Sequence, residues 1–161
     1  MVLIIVYLMG WLLLLGVMLV LHYLFAMPAW YMDHLLMVKS TVVGGLGGVL
    51  YCLRGVYLNR CVRKGWDTNW HVWYYLRPIT SSISGFVCCL FLQAGLLVLE
   101  AKPSTAAVPF GYLAIAFIAG YNVDNFMKKI ESIAHTTWGI DKTRTATDET
   151  SAKAKDPEHK E

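Results

Sequence analysis

Two aspartate–histidine pairs, Asp67 with His71 and Asp124 with His135, are the residues best able to attempt acid–base chemistry. An imidazole must lie within hydrogen-bond reach of the proton it moves, with a partner to orient it. Neither pair comes with the nucleophile or oxyanion donor that would complete a catalytic set. Both read more simply as helix caps and surface groups. Asp33 and His34 are adjacent, whereas ligands on one helix face stand four apart. His71, His135 and His159 are isolated, and no HExxH, glycine-rich phosphate loop or nucleophile elbow occurs. Of the four cysteines, Cys52, Cys88 and Cys89 fall in apolar stretches and Cys61 in a basic one, with no CxxC pair. Neither a disulfide framework nor a redox relay follows. The chain is therefore expected to be no enzyme, with no catalytic residue, metal site or cofactor.

The elements that would carry these groups are unusually apolar. The chain has 161 residues, 57% hydrophobic and 16% charged, against about 25% charged in soluble domains. The first Asp, Glu, Lys or Arg is Asp33. Apolar blocks lie near residues 3–25, 36–57, 78–99 and 106–123. Roughly 20 apolar residues cross a bilayer core of about 30 Å. Backbone polar groups in lipid must be satisfied internally, so spans are helices or closed barrels. Stretches such as LLLLGVMLVL and LAIAFIAG do not alternate as barrel strands do. The first block is long and has no basic residue before it, so it is expected to be a retained span rather than a cleaved signal.

Lysine and arginine gather on the cytoplasmic side of membrane proteins. Arg54, Arg60, Arg63, Lys64 and Arg77 lie at or between blocks two and three; seven more follow block four. Only Lys39 and Lys102 fall on the other side. The expected fold is all-α: a polytopic membrane protein with four transmembrane helices, both termini cytoplasmic (N-in, C-in), and small outer loops near 26–35 and 100–106. The expected location is the plasma membrane, the inner membrane in a bacterium. The basic excess suits anionic lipid heads better than nucleic acid.

Small residues let membrane helices approach closely. Gly44, Gly48 and Cys52 share one face of block two, and Ser81, Gly85 and Cys89 repeat the device in block three. Ala116 and Gly120 supply a third such surface. A tight bundle follows, within one chain or between copies. Trp66, Trp70 and Trp73 are spaced for one helical face, with Tyr74 beside them. They predict an interfacial helix anchored in the headgroup zone and leading through Arg77-Pro78 into the third span. Past block four, Phe126, Ile130 and Ile133 share a face opposite Lys128 and Lys129. Asp124 precedes Lys128 by four, the favourable order. This predicts an amphipathic extension over 124–138 able to dock a partner, completing a 1–138 membrane domain. Residues 139–161 are too polar to offset ordering entropy and are expected to be a disordered charged tail.

Residues 44–55, GGLGGVLYCLRG, resemble the glycine-rich, arginine-ended helix of small four-helix fluoride channels. The asparagine-bearing helix and phenylalanine-rich break of those channels are not found, so the resemblance stops at this segment. No Asp or Glu sits at the centre of any block, which argues against a multidrug-type exchanger. Two functions remain. One is a non-enzymatic membrane subunit that forms homo-oligomers and recruits or regulates a cytosolic protein, a form taken by membrane components of bacterial stress or phage-defence systems. The alternative is a homo-oligomeric ion channel or pore lined by Thr80, Ser81, Ser84, Gln93 and Asn122.

Overall fold

The computed structural model describes residues 2–24, 34–63, 71–96 and 108–140. Among these the chain is entirely helical. The elements are α1 (Val2–Leu24), α2 (Leu35–Tyr57), a π turn (Leu58–Val62), α3 (His71–Gln93), α4 (Val108–Tyr121) and α5 (Val123–Trp138). Helices α1, α2 and α3 each have 23 residues, about 34 Å at 1.5 Å per residue. All three are long and apolar enough to cross a membrane. The apolar α4, with 14 residues, extends about 21 Å. The outer loops expected near 26–35 and 100–106 fall almost wholly outside the described residues. Trp66, Trp70 and the tail from 141 onward also lie outside them.

The chain divides into two units, 1–123 and 124–161. In the first, α2 is the hub and packs against α1, α3 and α4. Sequence neighbours run antiparallel. Tyr7 of α1 meets Tyr75 of α3, while Tyr51 of α2 meets Trp73 of α3 and Tyr121 of α4. The start of α1, the end of α2, the start of α3 and the end of α4 thus share one end of the bundle. Ile4, Leu8 and Leu15 of α1 join Val42, Val49, Cys52, Val56 and Tyr74 in one buried cluster. The rest of α1 presents Leu3, Val6, Leu13, Leu14, Val17 and Leu21 outward. Such a helix, apolar on its outer face too, suits lipid rather than water.

Two boundaries differ from those read in the sequence, each for a local reason. Helix α3 begins at His71 rather than 78, so residues 71–77 form its first two turns rather than a separate interfacial helix. Proline usually marks a helix start or stop, but Pro78 sits inside α3, fully buried. The same helix stops at Gln93 rather than 99. Gly95 takes a left-handed φ of 72°, and its N–H bonds the Leu92 carbonyl at 3.1 Å while that of Leu96 bonds Phe91 at 3.0 Å. This Schellman pair satisfies the last carbonyls and turns the chain, although the residues beyond are apolar. In the second unit, α5 is two-faced. Phe126, Ile130 and Ile133 are partly covered, while Asp124, Lys128 and Lys129 are exposed. Gly139, at φ 66°, closes the helix.

Candidate functional site at the aromatic end of the bundle

Arg77 is 4% exposed, the one charged side chain buried among the described residues. An ionisable group inside a membrane helix is costly and marks a site worth explaining. Helix α3 places it facing α2 and α4. Its guanidinium carbon stands 4.8 Å from the centre of the Tyr51 ring and 5.1 Å from that of Trp73. Both distances suit attraction between a cation and a π face. Its Nη2 donates to the Tyr121 carbonyl oxygen at 3.5 Å. Tyr121 is the last residue of α4, where carbonyls lack intrahelical donors and the helix dipole is negative. A cation at that point satisfies the carbonyl and the dipole together.

The surrounding side chains fix this geometry. Arg54, exposed on α2, donates from Nη1 to the Tyr121 hydroxyl at 2.9 Å. Tyr51 and Tyr121 pack edge to face at 5.3 Å, and Phe117 stacks on Tyr121 at 6.2 Å. Asn59, in the π turn, donates to the Tyr74 hydroxyl at 3.3 Å, and Tyr7 donates to the Tyr75 carbonyl at 3.0 Å. Four helix ends are tied together by one buried cation, an outer arginine and a ring of aromatics. The arrangement can lock the bundle or respond to whatever reaches Arg54.

Sequence reading passed over Arg77, Tyr51, Arg54 and Tyr121 as a group. The available signal was an arginine, immediately followed by proline, at the edge of an apolar block. Of the anchor residues, Trp73 packs edge to face against Tyr74 in this cluster, and Tyr74 is buried at 3% exposure. His71 is partly covered and His135 exposed; Asp67 lies outside the described residues. Among the described residues no three His, Cys, Asp or Glu side chains gather as a metal site.

The small residues lie in the seams of the bundle. A Cβ on Gly44 would stand 2.7 Å from the Gly85 Cα and 2.9 Å from the Ser81 carbonyl oxygen. Gly120 abuts the Gly44 backbone, Gly48 faces the Ser81 side chain, and Gly85 faces the Ser40 carbonyl. On the adjacent face of α2, a Cβ on Gly47 would meet the Phe117 carbonyl oxygen at 2.5 Å. Cys52, Cys89 and Ala116 are fully buried. These surfaces are therefore occupied within one chain. The five polar residues named for a pore do not share a face of the monomer. Ser81 and Ser84 are fully buried, whereas Thr80, Gln93 and Asn122 are exposed.

The first unit thus defines a class: a helical bundle with three helices able to cross a membrane, tied at one end by a buried arginine. Searches of protein-family models, curated proteins and solved structures give no match to the chain.

Proposed function

We propose that the chain is a non-enzymatic, multi-pass membrane subunit. In this reading four helices span the bilayer with both termini cytoplasmic, copies associate, and the segment after α4 engages a cytosolic protein. The observation that carries it is α5. Its apolar stripe of Phe126, Ile130 and Ile133 is flanked by exposed Met127 and Trp138, and its other side carries Lys128, Lys129 and Glu131. A helix with one apolar face is a common anchor for a protein groove. The basic stretch from the last turn of α2 through the π turn, with Arg54, Arg60 and Arg63 exposed, supports a cytoplasmic placement of the aromatic end. Because the glycine seams are filled from within, copies would meet through the outward apolar surfaces instead.

Deleting residues 124–161 is expected to abolish co-purification of a cytosolic protein while leaving the remainder in the membrane fraction. Retention of the same protein by the shortened chain would contradict the docking role. One observation favours the channel as a second reading. Ser40, Ser81 and Ser84 bury hydroxyls that have no hydrogen-bond partner among the described residues. The hydroxyls of Thr41, Thr80 and Ser82, by contrast, bond back to carbonyls of their own helices. Unsatisfied hydroxyls in a seam are costly, and water entering between α2 and α3 would satisfy them. Steady ionic current from purified protein in a planar bilayer would favour that reading over the first.

A further inference from the structure

We infer that the crevice between α1 and α2, at the end of the bundle away from the arginine cluster, holds the phosphodiester headgroup of a membrane phospholipid through His22 and Lys39. The crevice is a cavity of about 20 Å³ lined by Met18, Leu19, His22, Val38, Lys39 and Val42. That volume admits about one water-sized group. A single anionic oxygen fits, with the rest of the phosphate outside, and the mostly apolar lining favours a phosphate that carries acyl chains over a free ion. The two polar members supply an ammonium and an imidazole N–H, both able to donate to an anionic oxygen. The four remaining members are apolar and lie where the first methylenes of the acyl chains would pack.

Depth supports the assignment. His22 is two residues from the end of α1, and Lys39 four residues after the start of α2. Both therefore lie within about 6 Å of a helix end. Helices of this length reach just past the hydrocarbon core, so these groups lie near the headgroup level, where a lysine stem snorkels to a polar surface. A phosphodiester is the abundant anion at that level. Lys39 is also, with Lys102, one of only two lysines or arginines on the sparsely charged side, so a general basic excess does not account for it.

The test is native mass spectrometry of the full chain in detergent, titrated with dioleoylphosphatidylglycerol. Dioleoylglycerol, with the same acyl chains and no phosphate, and inorganic phosphate serve as comparisons. The phospholipid adduct should persist, dioleoylglycerol should bind roughly tenfold more weakly, and inorganic phosphate should not compete. Lys39→Gln should lower the phospholipid adduct by about tenfold, as expected for losing one charged hydrogen bond, and Lys39→Arg should restore it. A thermal melt checks that each variant folds, and His22→Gln replaces Lys39→Gln if the latter does not. Equal binding of dioleoylglycerol, competition by inorganic phosphate, or an unchanged adduct in the variant would each overturn the inference. None of these results depends on whether α5 docks a cytosolic protein.

Discussion

Gly44→Ala is expected to destabilise the bundle by about 3 kcal/mol or more, at the upper end of overpacking costs, and Gly44→Leu to prevent its assembly. The reason is what surrounds this position. Helix α3 approaches closely, with the Gly85 Cα 2.7 Å and the Ser81 carbonyl oxygen 2.9 Å from where a Cβ would stand. Both obstacles are backbone, which cannot rotate aside as a side chain can. Helices α2 and α3 would have to part, losing dispersion contacts along their seam. Gly16 on α1 is the matched control, since a Cβ there meets nothing within 4 Å. Gly16→Ala should be neutral or slightly stabilising, because alanine is the better helix former. Thermal unfolding in a mild detergent, followed by size-exclusion chromatography, reads both variants. A Gly44→Ala protein that melts like the wild type would remove the seam argument.

Arg77→Ala should cost about 2–4 kcal/mol, from a core cavity together with the loss of attraction to two rings. The Tyr121 carbonyl would lose a charged donor at the end of α4. Arg77→Met keeps the stem volume and removes the cation, so it separates packing from charge. Replacing a buried ion by a well-packed apolar group is often nearly neutral, and Arg77→Met should therefore recover part of the loss. Arg77→Lys should recover little of the ring contact, because an ammonium lacks the planar face that stacks on Tyr51 and Trp73. The environment of Trp73 offers a local readout, since its fluorescence should change in Arg77→Met even at temperatures where the protein stays folded. Wild-type stability and an unchanged Trp73 spectrum in Arg77→Ala would mean that the cluster does not hold the helix ends together.

The helices were legible because apolar runs of over twenty residues have few other solutions. Their ends were less so, since hydropathy does not register local geometry. Pro78 suggested a helix start, yet it is accommodated seven residues into α3. The apolar LLVLE segment suggested a longer span, but Gly95 had already turned the chain. The spacing of Gly44, Gly48, Ser81, Gly85 and Gly120 marked surfaces of close approach. It could not say which helix meets which, since a four-residue period names a face and not its neighbour. The arginine cluster was hidden for a related reason. Tyr51, Arg54, Trp73, Arg77 and Tyr121 come from three helices and only meet once the antiparallel order is set. Trp73 drew attention to this end of the bundle as a lipid anchor, and only the packing shows that it also neighbours a buried cation.

The three long apolar helices are suited to a bilayer by length and composition. The most direct measurement is alkaline carbonate extraction of membranes from cells producing the full chain, followed by ultracentrifugation. The protein should remain entirely in the pellet and be released only by detergent. Recovery in the carbonate supernatant, free of lipid and surfactant, would contradict the account.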